Sequence, residues 1–219
     1  MSDVIFLTNV RLSFPHLAEP HAAGNNPTAV KKYSADFIMS ADDAGYKQFM
    51  AQYASLALDK WGENSSQVMQ MILSDRKLRC FGQGNEKVNK KTFKPYDGYA
   101  DMAYIGANRD QMPQMIQADG TPVDGNNTMA YQQQARKMYG GCYVNVALKP
   151  WLQDNAHGRG IRCDLVAVQF LKDGEAFGEG KTDVSPMFGQ VAEAPTAAPV
   201  NTDGTAPFPG QPASPAFLG

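Results

Sequence analysis

The sequence predicts a mainly β protein with helical additions, an α+β fold built around a small, partly open β-barrel. Three observations carry that expectation. Short segments rich in β-branched and aromatic residues recur along the chain, each bounded by Gly, Pro, Asn or Asp. Residues 140–178 hold two such segments, the first long enough to show alternation of apolar with polar or aromatic positions. After the second predicted strand, one long stretch carries apolar residues at helical spacing. A chain of 219 residues that is 43% hydrophobic can bury the core such a fold needs.

In chain order, residues 4–14 (VIFLTNVRLSF) predict a first strand that ends at Pro15. Pro20, Gly24, Asn25, Asn26 and Pro27 make residues 15–30 a loop. Residues 32–39 (KYSADFIM) predict a second strand, with Lys31, Lys32 and Tyr33 as a small basic and aromatic cluster at its start. Ser40-Ala41-Asp42-Asp43 resembles a capping box, and Tyr46, Phe49, Met50, Tyr53, Leu56, Ala57 and Trp61 then recur at helical spacing up to Gly62. That stripe reads as core packing rather than a cofactor box. A shorter helix is predicted over 65–74, with Asn64 as its cap. Gly82, Gly84 and Asn85 separate a short strand over 78–81 from a loop that holds residues 87–94. Strands are expected over 99–107 and 114–118, and the polar, Gln-rich residues 121–138 read as an insertion or as a short helix over 129–138, with no chemistry assigned to them. In the final hairpin Val144, Val146 and Leu148 alternate with Tyr143, Asn145, Ala147 and Lys149. Residues 153–160 supply its turn and 160–172 its return strand. Residues 1–184 thus form one domain, and residues 185–219, rich in Pro and Ala and without Lys or Arg, predict a disordered tail.

The stretch over 76–104 (RKLRCFGQGNEKVNKKTFKPYDGYADMAY) carries the chemistry. Between residues 76 and 99, Arg76, Lys77, Arg79, Lys87, Lys90, Lys91 and Lys94 stand against Glu86 and Asp97, with Phe81, Phe93, Tyr96 and Tyr99 interleaved. A groove that follows a phosphate backbone needs cations, and one that holds unpaired bases without reading them needs flat rings to stack on. Phe93, Tyr96, Tyr99 and Trp151 are the candidate stacking rings. The polar and aromatic face of the final hairpin adds Tyr143, Lys149 and Arg162. The formal net charge of −2 does not oppose this, because the local distribution of charge rather than its sum sets the field in a groove.

Other classes are less well served. Cys80, Cys142 and Cys163 lie far apart, without metal-ligand spacing, and read as reduced thiols. No phosphate-binding glycine motif occurs, so an ATP-driven enzyme is disfavoured, and no cofactor is expected. His16, His21 and His157 all fall in predicted loops and read as surface residues. Glu179-Gly180-Lys181 has the E-x-K form of metal-dependent nucleases, with Asp164 or Asp173 upstream, but three residues in a Gly-rich turn are a weak signal. Neither a signal peptide nor a membrane span is apparent.

KYSADFIMS (32–40), PYDGYADMAYIGANRDQMPQMI (95–116) and MYGGCYVNVALKPWLQDNAHGRGIRCDLVAVQFLKDGEAFGEG (138–180) resemble a phage family formerly classed as a domain of unknown function, and in particular its enterobacterial single-stranded DNA-binding members. The likeness covers most of residues 1–184. It implies a five-stranded OB-fold, distantly similar to the T7-type protein. It also implies sequence-independent binding of single-stranded DNA in phage replication, recombination and repair, in the cytoplasm of the infected bacterium, with no enzymatic activity. Tails of such proteins often recruit replication or recombination partners through an acidic end with a terminal aromatic. Here only Glu193 and Asp203 are acidic beyond residue 190, and Phe217 is followed by Leu218 and Gly219. A strand-annealing recombination protein is the alternative reading, since it too would use cations and rings.

Overall fold

A computed structural model describes residues 4–22 and 29–178. The elements are β1 (Ile5–Ala22), β2 (Lys31–Met39), α1 (Ala44–Trp61), α2 (Ser65–Ser74), β3 (Phe81–Gln83), β4 (Ala103–Arg109), β5 (Gln114–Ile116), α3 (Thr128–Lys137), β6 (Tyr143–Asn155) and β7 (Gly158–Lys172). The strands form one sheet in the order β3-β4-β2-β1-β6-β7-β5. Every pairing is antiparallel except that of β5 with β7. The five-strand run β4-β2-β1-β6-β7 curls until β4 and β7 pack against each other without joining a ladder, which makes a partly open OB-type barrel. The short strands β3 and β5 extend it beyond the five expected.

Alternation builds the core as the sequence predicts. Val144, Val146, Leu148 and Pro150 point inward from β6 and meet Ile161, Cys163, Leu165 and Val168 of β7. From β2, Ala35, Phe37 and Met39 enter the same cluster, whereas Ile38 turns to a second, smaller one with Tyr99 and Tyr104. Helix α1 lies on β1 and β6 and drives Phe49 and Tyr53 into the main core. Its start is capped by Asp43, whose Oδ1 accepts from the amides of Gly45 (2.8 Å) and Tyr46 (3.1 Å). The cap is therefore Asp43 rather than Ser40. Gly62, at φ +52°, ends the helix as expected. Asn64 precedes α2 but makes no side-chain capping bond.

Several boundaries differ from expectation. Strand β1 does not stop at Pro15 but runs to Ala22, so residues 15–22 are strand rather than loop. Three register shifts accompany this, the third of them between His16 and His21. Asn9 and Phe14 adopt φ of +54° and +45°, and the register slips beside each, against β6 and against β2. Pro15 sits in the second bulge, where the ladder does not require its missing N–H. The strand expected over 78–81 is instead a 3-10 turn, Arg76–Leu78, followed by β3. Residues 99–102 form turns that hold Tyr99 and Met102 through their amides, so β4 starts only at Ala103. The last hairpin turns tightly at residues 156 and 157. Its broader turn over 153–160 is taken up by strand.

Among the described residues no helix is long and apolar enough to cross a membrane. The expected boundary after residue 184, the tail and the Glu179-Gly180-Lys181 triplet lie outside the described residues.

Candidate nucleic-acid interface

A groove of about 870 Å³ opens where the bulged half of β1, β2 and β4 face the 3-10 turn Arg76–Leu78 and the β6–β7 hairpin. Lys32, Arg76, Arg79, Lys87 and Arg162 line it against one carboxylate, that of Asp36. The groove is therefore cationic although the chain as a whole is not.

Not all five charges are equally free. Lys87 is paired with Asp36, Lys32 with Asp110 at 3.2 Å, and Arg79 with Glu86 at 2.8 Å. Arg76 and Arg162, in contrast, are held by neutral acceptors. Arg76 donates to the Glu86 carbonyl, and Arg162 donates to Gln153 Oε1 (3.0 Å) and the Lys77 carbonyl (3.2 Å). A neutral acceptor fixes a guanidinium in place without cancelling its charge. These two present the strongest field to a phosphate.

The rings are equally ordered. Trp151 on β6 lies directly across from Arg162 on β7, and both border the groove. The indole is 38% exposed, and its Nε1 donates to Asp164 Oδ1 at 2.8 Å, which fixes the ring while leaving its π-face available. Phe14, turned outward by the bulge, stands at 5.0 Å from Tyr96, edge to face. Lys87 sits among three rings, 4.5 Å from the centroid of Tyr104, 5.6 Å from Tyr99 and 5.7 Å from Phe14. Beneath it Asp36 also accepts from the Tyr99 hydroxyl at 2.6 Å. Burial and the adjacent Asp36 carboxylate hold the Tyr99 phenol far above its ordinary range, so it donates at all physiological pH.

The structure brings Arg76, Arg79, Lys87, Trp151 and Arg162 together and distributes the other expected residues elsewhere. Tyr99 is fully buried in the smaller core beside Tyr96, so it supports the groove floor and is not available as a stacking ring. Lys77 contributes its carbonyl to Arg162 while its side chain is exposed. Lys90, Lys91, Phe93 and Lys94 occupy a loop closed by the Val88–Pro95 bridge and by bonds from the Asn89 amide to the Lys94 carbonyl and from the Phe93 amide to the Asn89 carbonyl. Phe93 projects from that loop, 82% exposed. Lys149 borders a separate recess between α1 and β6, and Tyr143 lies at the opposite end of β6 from the hairpin turn, flanked by Arg11 and Lys172.

Phe14, His16, His21, Lys32 and Tyr104 belong to the groove and were not among the expected site residues. The one sequence signal for Phe14 is a large ring at a position where alternation with buried Leu12 breaks just before a proline. Among the described residues no group of three or more His, Cys, Asp or Glu is placed to hold a metal ion. The three cysteines are free, and burial pushes the Cys142 thiol up to about 11, so it stays protonated at neutral pH.

An OB-type barrel with a cationic, ring-bordered groove defines a class of oligonucleotide-binding folds. Residues 3–197 match the family described as Enterobacter phage Enc34, ssDNA-binding protein, and the chain belongs to that family. Its members are binding proteins rather than enzymes. A protein of Acyrthosiphon pisum secondary endosymbiont phage 1, described as putative protein p50, is 30% identical over 178 residues, covering 80% of this chain and 87% of its own. The single-stranded DNA-binding protein of bacteriophage Enc34, solved in complex with ssDNA, superposes with a TM-score of 0.62 at 24% identity, over 81% of this chain and 90% of that one. A second structure of the single-stranded DNA-binding protein from bacteriophage Enc34 gives 0.58 at 24% identity, over 85% and 90%. These two likenesses establish the fold.

Proposed function

We propose that this protein binds single-stranded DNA without reading its sequence, through the groove bordered by Trp151 and Arg162. The observation that carries the reading is that cross-strand pair: a fixed guanidinium with undiminished charge beside a fixed indole. Phosphates run along Arg162, Arg76 and Arg79, and unpaired bases stack on Trp151 and Phe14. Lys90, Lys91, Phe93 and Lys94, reached through Lys87, extend the path beyond the groove, with Lys77 at its edge. Lys149 and Tyr143 give further contacts only to a strand that wraps around β6. In an infected bacterium such binding serves phage DNA replication, recombination and repair in the host cytoplasm. Residues 185–219, outside the described structure, are the segment assigned to protein partners.

Fluorescence anisotropy with labelled oligo-dT and with duplex of equal length, at several salt concentrations, tests this. Tight binding to the single strand alone is expected. R76Q/R162Q should weaken it and lower the slope of log K against log salt by about 0.7 for every phosphate that is no longer neutralised. W151A should cost on the order of 1–3 kcal/mol with little change in that slope. Equal affinity for duplex, or full binding by both variants, would refute the assignment. A triple K90Q/K91Q/K94Q variant that binds more weakly than R76Q/R162Q would move the phosphate path to the loop.

A further inference from the structure

Two of the three histidines stack on each other inside the groove, where the phosphate path and the stacking rings give them no task. His16 and His21 lie on the part of β1 beyond Phe14, with ring centroids 4.4 Å apart and planes inclined by 11°. His16 is half-buried and His21 exposed, and both line the groove. A chance surface pair has no reason to be held parallel at a ligand's wall. Imidazole is the side chain whose charge changes near neutral pH, and two stacked imidazoles resist being charged together.

The surroundings set the sign. Across β2, Ser34 lies opposite His16 and Lys32 opposite His21, with Lys32 paired to Asp110. On β1 itself Glu19 is exposed between them, and within the groove Arg76, Arg79, Lys87 and Arg162 outnumber Asp36. The empty groove is therefore a poor place for a further positive charge. Burial and the neighbouring His21 lower the basicity of His16. A DNA backbone entering the groove reverses that field.

We infer that the His16–His21 stack is a proton-linked contact for the DNA backbone, taking up a proton against a phosphate when a single strand binds. The inference rests on the proposed function. A phosphate that raises one imidazole by about one pKa unit adds up to about tenfold in affinity. Because the bound value is raised, the gain is fully present below the free protein's value and fades as pH rises through the bound value.

The experiment is oligo-dT anisotropy at fixed salt from pH 8.0 to 5.5, a probe whose bases do not titrate in that range. For the full chain, affinity should rise by up to about tenfold on acidification. Whatever its affinity at pH 8.0, H16Q/H21Q should lack most of the rise on acidification, while H157Q, on the distant hairpin turn, should keep it. A rise that survives in H16Q/H21Q overturns the inference and leaves DNA binding intact. Absence of binding at every pH overturns the proposed function together with this one. If H16Q/H21Q fails to fold, imidazole proton shifts of the parent decide instead: both pKa values unmoved by oligo-dT would sink the idea, and an upward shift of either supports it.

Discussion

At Phe14 the backbone holds a bulky residue at φ +45°, a region that costs a non-glycine residue on the order of 1–3 kcal/mol. The conformation persists because it turns the ring into the groove, where Tyr96 and Lys87 meet it. Phe14→Gly relieves the strain and removes the ring together. Its urea midpoint should move by less than the equivalent of about 1 kcal/mol, while affinity for oligo-dT falls by about 1–3 kcal/mol. A large loss of stability with unchanged affinity would make the ring a core plug. The Asp36 carboxylate shows the opposite balance, because Lys87 and Tyr99 both satisfy it in a largely buried position. Removing the cation alone leaves a buried charge short of a partner, so Lys87→Met should lower unfolding stability by roughly 2–4 kcal/mol. The double variant D36N/K87M should recover most of that, because asparagine carries no charge to strand. Urea unfolding of the three variants measures the coupling directly.

Among the elements, the irregular strand β1 does the most to shape the groove. Its bulges bend it so that the first half pairs with β6 and the second half follows β2 outward, carrying Phe14, His16 and His21 with it. Below the barrel, residues 173–178 fold back across the end of β6. The Phe177 amide donates to the Gly140 carbonyl (2.8 Å), Tyr139 Oη to the Gly174 carbonyl (2.9 Å), and Arg11 to the Glu175 carbonyl (2.6 Å). Gly141 makes room for this strap. Its φ is +109°, and a Cβ there would overlap the Glu175 carbonyl oxygen. G141A combines strain with a clash and should cost more than about 2 kcal/mol. Hydrogen exchange of that variant should be accelerated more at the Phe177 amide than at β7 amides, whereas uniform acceleration would mean that the strap unfolds only with the barrel.

For the whole molecule, the buried phenols set a limit at high pH. Burial holds Tyr53, Tyr99 and Tyr131 well above the ordinary tyrosine range, and their hydroxyls are bonded to Arg162 O, Asp36 and Pro113 O. A raised folded-state value means that the folded chain keeps a proton that the unfolded chain releases. Stability is thus complete below about pH 10 and falls above it by about 1.4 kcal/mol per pH unit for each such phenol. Spectrophotometric titration should show a fraction of the tyrosines ionising only in one cooperative, unfolding-linked step. Gradual ionisation of all of them in the folded protein would contradict this burial.

The sequence by itself determined the β-rich class, the helices at 44–61 and 65–74, and the β6–β7 hairpin. Each of these is written in a local period, 3.6 for the Tyr46–Phe49–Tyr53–Ala57 stripe and 2 for Val144–Val146–Leu148, and local periods survive without knowledge of the partner. It also marked Arg76, Arg79, Lys87, Trp151 and Arg162 as unusual, by charge density and by the polar face of a hairpin. Tertiary structure alone decided which of those charges are neutralised. Lys87 is paired with Asp36, 51 residues earlier in the chain, whereas Arg162 is held by the carbonyl of Lys77 and stays fully charged. It likewise decided that Tyr99 is core, held by a turn ahead of β4, and that Phe14, His16 and His21 are wall, because a bulge in β1 shifts the inward and outward positions that alternation would assign. A groove made of five separated stretches of the chain exists only once β1, β2 and β4 have curled toward β7, and no local pattern in the chain encodes that curl.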